Sequence, residues 1–280
     1  MAASFPGSKK TFVNNVDDVD DVTAADMNSV QDEIAAVENF LLTPLTIARF
    51  LGLPGLRGFW PMSSVDNAGA VYDLSGQGRT LTNTGTATFG VTTPGLPYGI
   101  FNGTTQYLSR TDEAGLDITG ALTIGGWFYA TAFTPATIHI GMGKYSTAAG
   151  NFSYRLTFQT ATSTTAAQIS GDGTDEIAVT SSLAAVINSW HFLTLRYTPS
   201  TELAIWVNDT KTVNTTSIPA ALFNGNAAFQ INGRAGGTNN LFAGRAALGF
   251  LCAAALADAQ ITDLYNSTRG LFVWEIICAK

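Results

Sequence analysis

Residues 188–209 read N-S-W-H-F-L-T-L-R-Y-T-P-S-T-E-L-A-I-W-V-N-D, and this stretch carries the clearest pattern in the chain. Its first half, from Trp190 to Tyr197, is rich in aromatic and apolar residues, as is typical of a β-strand. Pro199 and Ser200 interrupt that run. Apolar and other residues then alternate, with Leu203, Ile205 and Val207 separated by Ala204, Trp206 and Asn208. The stretch therefore predicts two antiparallel strands joined by a short turn.

Five further stretches on either side of this hairpin carry recognisable signatures. They are G-F-W-P-M at 58–62, D-L-S-G-Q-G at 73–78, F-N-G-T-T-Q-Y-L at 101–108, L-T-I-G-G-W-F at 122–128 and L-A-D-A-Q-I-T-D-L-Y at 256–265. Together with the hairpin, and in this order, they resemble the laminin-G-like, concanavalin-A-like jelly-roll family. The resemblance implies an all-β, two-sheet antiparallel sandwich over residues 57–269, closed by a short helix.

Composition narrows the classes of partner. The 280 residues carry a net charge of −7, and no cluster of Lys and Arg occurs. We therefore expect neither nucleic-acid binding nor attraction to anionic membranes. The longest apolar runs, 246–257 and 271–279, are shorter than the roughly 20 residues that a membrane-spanning helix needs, so we expect no membrane insertion. Lys9 and Lys10 are not followed by an apolar stretch, so we expect no signal peptide.

The chain is also unusually poor in charge, with 12% charged and 46% hydrophobic residues. Two explanations remain open, namely extensive contacts between subunits or a single well-packed sandwich.

The first 42 residues differ from the rest. Residues 1–22 show no periodicity and predict an extended, acidic arm. Residues 23–42 predict a helix whose apolar residues recur at steps of three and four along one seam, namely Met27, Val30, Ile34, Val37 and Leu41. Such a seam fits either a self-associating helix, with β-branched core residues favouring a trimer, or a helix lying on its own sandwich. Residues 43–56 predict a linker.

The run V-D-D-V-T-A-A-D-M-N-S-V-Q-D-E-I at 19–34 carries a second resemblance, to the opening of many structural proteins of tailed phages. In such proteins this part joins the virion and the domain behind it faces outward. The resemblance implies a virion component that is made in the host cytoplasm and has other virion proteins as partners. It leaves open whether the chain belongs to the capsid, as a decoration or head fibre, or to the tail.

The acidic residues do not form a recognisable catalytic pattern. Glucanases of the resembled fold carry an E-x-D-x-E strand that places two carboxylates in one groove, and this chain has no such triplet. Its nearest acidic groups are Asp112-Glu113 and the stretch from Asp172 to Glu176. His191 stands at a family position that is usually structural. We therefore predict that the protein is not an enzyme.

Calcium binding is also disfavoured, and no cofactor is predicted. Many relatives use an Asp in the motif of the last strand, where this chain has Ala247. Asp73 is a weak remaining candidate for a metal ligand, but an Asx-turn bond within its own loop is the favoured interpretation.

Sugar binding in this fold relies on aromatic residues at the rim. Four candidates lie outside the evident core pattern, namely Tyr98, Tyr107, Tyr145 and Phe152, and Phe223 is a fifth. Host surface glycans are the expected ligands if these residues form a site.

The last residues, 270–280, form an apolar tail beyond the family pattern. Phe272, Trp274 and Ile276 alternate with Val273, Glu275 and Ile277, so an extended tail would present apolar groups on both faces. We expect this tail to dock onto another subunit during assembly.

Taken together, the sequence predicts a non-enzymatic structural protein of a tailed-phage virion that displays its jelly roll for decoration or adhesion. The alternatives are a free carbohydrate-binding module of the concanavalin-A-like class and an inactive glycosidase-like domain.

Overall fold

The computed structural model describes residues 44–62, 69–92, 95–132, 138–148, 150–159, 164–184, 186–236 and 240–273. Within these ranges the fold is all-β, with two antiparallel sheets packed face to face. Short helices lie near the first and the last described residues. The predicted fold class is therefore confirmed. The predicted arm (1–22) and helix (23–42), with the seam from Met27 to Leu41, lie outside the described residues, as do Trp274 and Ile276.

The first sheet has eight strands among the described residues. Its order is β13-β12-β11-β6-β15-β4-β3, and β1 pairs with β15. The bounds are β1 Leu56–Trp60, β3 Thr88–Val91, β4 Pro97–Asn102, β6 Leu122–Ala132, β11 Trp190–Thr198, β12 Glu202–Val207, β13 Thr210–Asn214 and β15 Ala243–Cys252.

The second sheet has seven strands within the described ranges, in the order β10-β9-β8-β7-β14-β5-β2. The bounds are β2 Thr82–Thr84, β5 Tyr107–Arg110, β7 Ile138–Tyr145, β8 Phe152–Gln159, β9 Thr164–Ile169, β10 Ile177–Ala184 and β14 Phe229–Ile231.

The predicted hairpin is β11 and β12, with Leu195 opposite Ile205. Its turn contains Ser200 at a positive φ of 55°, just after the rigid Pro199. Both faces of the hairpin are buried. Leu203, Ile205 and Val207 lie in the core between the two sheets, whereas Ala204 and Trp206 lie on the opposite face of the first sheet. This double burial explains why the hairpin is apolar along almost its whole length.

A second hydrophobic cluster covers the outer face of the first sheet, the face turned away from the second sheet. Three helices contribute to it, namely α1 over residues 44–51, α2 at Asp258–Thr268 and α3 at Gly270–Val273. Phe50 of α1 stacks on Phe59 with ring centroids 4.7 Å apart. Trp127 Nε1 donates a hydrogen bond of 2.8 Å to Thr268 Oγ1 and so attaches α2 to the sheet.

Helix α1 changes the interpretation of the predicted linker. Residues 44–51 are helical and Phe50 is fully buried, so this part of 43–56 belongs to the packed domain. The sequence indicated a linker because Pro44 and the L-G-L-P-G stretch at 51–55 are typical chain breakers. Pro44, however, is the first described residue of this stretch, and residues 44–51 are helical all the same. None of the helices in the described part of the chain is long and apolar enough to cross a bilayer.

Candidate functional site

A β-bulge between β7 and β8 creates the best candidate site. Tyr145 is paired with Phe152, whereas the preceding Lys144 is paired with Tyr154, so Ser153 is an extra residue in β8. Tyr154 faces the core between the sheets. Because the bulge shifts the alternation of side chains, Phe152 falls on the same outer face of the second sheet as Tyr145 and Arg155.

The two aromatic rings and the Arg155 guanidinium form one packed unit. The rings of Tyr145 and Phe152 meet edge to face, with centroids 5.2 Å apart and an interplanar angle of 77°. The guanidinium carbon of Arg155 lies 4.1 Å from the Tyr145 ring centroid and 4.7 Å from that of Phe152. Gly143 is paired with Arg155 across the strands. A Cβ at position 143 would lie only 2.7 Å from Arg155 Cα, so a glycine avoids a clash with Arg155. The cation is therefore held against aromatic faces, which attract it.

Hydrogen bonds across three chain segments fix the orientation of Arg155. Its Nε donates to Gln168 Oε1 at 2.7 Å, and its Nη2 donates to Glu176 Oε2 at 2.6 Å. Gln168 Nε2 in turn donates to Glu176 Oε1 at 2.5 Å. Arg155 is on β8, Gln168 on β9, and Glu176 immediately precedes β10. We call these three residues the polar triad.

The G-D-G-T-D-E loop at 171–176 forms the wall beside the triad. The Asp172 carboxylate accepts hydrogen bonds of 2.8 Å from the backbone N–H groups of Thr174 and Asp175. These bonds lower the pKa of Asp172 to about 2. Gly173 has a φ of +88°, and a Cβ there would lie 2.8 Å from the ring of Phe223. Phe223 thus supports the loop from behind.

Together these groups line a cleft of about 270 Å³, whose described lining is Tyr145, Ser146, Thr147, Ala148, Phe152, Arg155, Gly173, Thr174 and Glu176. Tyr145 is half-buried, whereas Phe152 and Arg155 are only 4% and 6% exposed. The cleft thus combines an accessible aromatic ring with pre-oriented polar groups, the usual composition of a small-molecule site. A second cleft of about 280 Å³ near Asp117 has no aromatic residue in its described lining.

The structure separates the predicted sugar-binding residues. It brings Tyr145 and Phe152 together and places Phe223 against Gly173 of the adjacent loop. Tyr107 is half-buried on β5 and does not line the cleft. Tyr98 is only 8% exposed and packs in the second hydrophobic cluster, edge-on to Trp190 at 5.7 Å. The prediction for Tyr98 is therefore wrong, because helices cover the outer face of its sheet.

Phe272 also differs from the prediction. It is 2% exposed, stacks on Trp127 of its own sandwich at a centroid distance of 4.4 Å and contacts Trp190 in a tilted arrangement at 4.7 Å. Phe272 thus belongs to the described packing of its own domain, and docking of the tail onto another subunit stays a prediction.

Asp73 has the role of a loop anchor. Its Oδ1 accepts hydrogen bonds from the backbone N–H groups of Phe59 and Ser75, and its Oδ2 accepts from the N–H group of Arg79 and the Ser75 hydroxyl, all at 2.8–2.9 Å. The carboxylate thus serves the Asx-type turn that the sequence favoured. Among the described residues, no group of three or more His, Cys, Asp or Glu side chains is arranged to hold a metal ion.

His191 serves its own loop as well. Its Nε2 lies 3.0 Å from the backbone nitrogen and 3.1 Å from the carbonyl oxygen of Val186. Burial lowers the pKa of His191 below its usual value. These contacts give His191 a structural role, because they hold the turn before β11 in place.

The polar triad was missed in the sequence. Arg155 is the only charged residue in the β8 segment F-S-Y-R-L-T-F-Q, and this signal marks it as unusual. Gln168 lies 13 residues after Arg155, and Glu176 lies 8 residues after Gln168. Only the pairing of β8, β9 and β10 brings the three residues together.

Comparisons with known proteins agree with this architecture. A family model described as the concanavalin A-like lectin/glucanases superfamily, Laminin_G_3, matches residues 102–261, which is more than half of the chain. A search of curated proteins found no match.

Several solved structures share the fold. The binding domain of Paraclostridial Mosquitocidal Protein 1 matches with a TM-score of 0.62 at 12% identity, over 76% of this chain and 52% of that one. The receptor binding domain of botulinum neurotoxin C/D mosaic serotype matches with 0.59 at 9%, over 76% and 51%. The ligand binding domain of botulinum neurotoxin serotype D, in complex with N-acetylneuraminic acid, matches with 0.60 at 9%, over 79% and 52%.

This chain spans about half the length of each of those structures, and at such identities the likeness is one of fold. The family match over residues 102–261, on a sandwich with the predicted signatures in order, gives the assignment: the chain belongs to the concanavalin A-like lectin/glucanases superfamily.

Proposed function

We propose that this protein is a non-catalytic, glycan-binding jelly-roll module, and that the cleft beside Tyr145 holds the sugar. The observation that carries the proposal is the unit of Tyr145, Phe152 and Arg155, in which an accessible ring lies next to a guanidinium fixed by two hydrogen bonds. The complex of a neurotoxin domain with N-acetylneuraminic acid shows that a protein containing this fold binds a sugar, and it supports the proposal at that level.

The geometry suits one sugar ring. A pyranose has an apolar face of C–H groups that packs on an aromatic ring, and hydroxyl groups around its edge that need polar partners. Tyr145 supplies the ring, while Arg155, Glu176 and the exposed Thr174 supply the polar partners. A volume of about 270 Å³ is near the lower end for ligand pockets, so we expect recognition of a single terminal sugar residue.

The acidic groups of the cleft support a proposal of binding without hydrolysis. Glycosidases generally use two carboxyl groups on either side of the bond that they break. Among the described residues that line this cleft, Glu176 is the one carboxylate, and both of its oxygens accept hydrogen bonds from the triad.

The test is a screen of the purified chain against immobilised glycans, followed by saturation-transfer NMR with the best sugars. We expect Tyr145→Ala to reduce binding at least tenfold. Tyr107→Ala is the matched control, because Tyr107 is also a half-buried tyrosine on a strand of the second sheet but lies outside the cleft. Absence of sugar binding would refute the proposal, and equal loss in both variants would refute the site.

We also propose that the module is displayed on a tailed-phage virion through the N-terminal region. The resemblance of residues 19–34 to the opening of phage structural proteins supports this location, together with the apolar seam from Met27 to Leu41. Trimerisation through that seam would give the display several copies of a weak sugar site, which raises avidity.

Antibody labelling of purified particles tests the location. We expect the protein to co-purify with particles and to be labelled at one structure, either capsid or tail. Particles that lack the protein while the host releases it freely would favour the alternative of a free carbohydrate-binding module.

A further inference from the structure

We propose that the cleft selects neutral sugars with two adjacent hydroxyl groups and rejects sugars that carry a carboxylate. This inference rests on the proposed glycan-binding function and adds the chemical class of the ligand. Its basis is the polar triad, which holds a hydrogen-bond donor and an acceptor side by side and has no excess of positive charge.

Arg155 is the donor. Two of its three nitrogens are bonded inside the triad, Nε to Gln168 and Nη2 to Glu176. No described residue provides an acceptor for the third nitrogen, Nη1. The Arg155 side chain is 8% exposed and lines the cleft, so it presents a charged N–H group to the site. Water in the cleft can accept a hydrogen bond from this donor, and a ligand oxygen can take the place of that water.

Glu176 is the acceptor. Its side chain is 39% exposed, and each carboxylate oxygen already receives one hydrogen bond from the triad. A carboxylate oxygen has two lone pairs, so each has capacity for one more donor. A hydroxyl group is both donor and acceptor. One sugar hydroxyl therefore accepts from Arg155 Nη1 while its neighbour donates to Glu176, and Tyr145 packs against the ring.

The charge balance excludes an anionic ligand. Arg155 contributes one positive charge, which the ion pair with Glu176 at 2.6 Å neutralises. Asp172 and Asp175 add two negative charges from the same exposed loop, and Asp172 is ionised throughout the neutral range because its pKa is about 2. Lys144 offers no compensation, because its side chain is on the other face of β7 and is paired with Asp112 and Asp117. A sugar carboxylate therefore meets a net negative rim, and like charges oppose binding.

The experiment titrates the full chain, by saturation-transfer NMR, with methyl glycosides of glucose, mannose and galactose, with their single deoxy analogues, and with N-acetylneuraminic acid. We expect at least one neutral glycoside to bind, a deoxy analogue to bind at least tenfold more weakly, and N-acetylneuraminic acid to give no transfer. Added salt should leave the neutral affinity unchanged.

Two variants connect these results to the triad. Arg155→Lys keeps the charge but removes the planar donor set, and we expect at least tenfold weaker neutral binding. Glu176→Gln removes the negative charge and one of the two acceptor oxygens, so it should weaken neutral binding and allow detectable binding of N-acetylneuraminic acid. Asp209→Asn is the control, since Asp209 is an exposed carboxylate in the turn between β12 and β13.

The outcomes separate the two proposals. Tighter binding of N-acetylneuraminic acid than of every neutral glycoside, weakened by salt, overturns the selection for neutral sugars and leaves glycan binding standing. Neutral binding that no deoxy analogue and neither triad variant changes also overturns it. No transfer to any sugar overturns the proposed function itself, and this inference with it.

Discussion

Replacing Phe272 by alanine tests whether this residue belongs to the folded core of its own domain. The ring is 2% exposed and lies on Trp127 and Trp190 at centroid distances of 4.4 and 4.7 Å. Truncating a buried phenylalanine typically costs about 3–5 kcal/mol. We take the lower end, about 3 kcal/mol, because α3 has only four residues and lies at the end of the described chain.

The assay is a thermal melt of the purified chain followed by tryptophan fluorescence. For a domain of this size each kcal/mol moves Tm by about 2–4 °C, so Phe272→Ala should lower Tm by about 6–12 °C. The native emission should also shift to longer wavelength as Trp190 becomes more exposed. Val213→Ala serves as the control, because Val213 is 46% exposed and should change Tm by less than about 2 °C. A Tm for Phe272→Ala within that margin would show that the ring contributes nothing to its own sandwich.

Three further predictions concern other parts of the chain. Asp73→Ala should lower the free energy of unfolding by about 2–3 kcal/mol, because the N–H groups of Phe59 and Arg79 lose their acceptor. Millimolar calcium should not change the Tm of the wild type, and a sharp rise in Tm with calcium would contradict the loop-anchor role. The folded-state pKa of Asp172 is lowered to about 2 from an ordinary value of about 4, so its stabilising contribution is present above the ordinary value and is lost as the pH falls to about 2. Tm measured against pH should therefore fall more steeply in this range for the wild type than for Asp172→Asn, and parallel curves would count against the turn bonds. Ile34→Asp should abolish the oligomer in sedimentation while the sandwich stays folded, because it places a charge in the apolar seam, and an unchanged assembly state would disprove the seam.

The sandwich was predictable because its signals are local. The alternation from Leu203 to Val207 assigns successive residues to opposite faces of one strand, and the structure has them there. The burial of both faces of the first sheet was harder to predict, since the covering helices come from the two ends of the described chain. For that reason Tyr98 was placed at the rim and Phe272 on a neighbouring subunit, although both lie beneath or within that cover.

The sequence predicts the aromatic residues of the site but not its polar residues. Tyr145 and Phe152 stand near turns and were identified as aromatic residues outside the core pattern. Their contact depends on a bulge at Ser153, which cannot be seen without the register of β7 and β8. Arg155 and Glu176 were missed because their meeting depends on pairing across three segments, which single-residue patterns do not encode.

The positions of Phe50 and Phe272 have a consequence for how the module is held. Phe50 lies near the beginning of the described chain and Phe272 near its end, and both pack on the outer face of the first sheet. The Tyr145 cleft opens on the outer face of the second sheet, so the sandwich has a mounting side and a presenting side. Two sheets packed face to face are about 10 Å apart, and this thickness separates the two sides. If the proposed display on a particle is correct, attachment through the mounting side would turn the cleft away from the support.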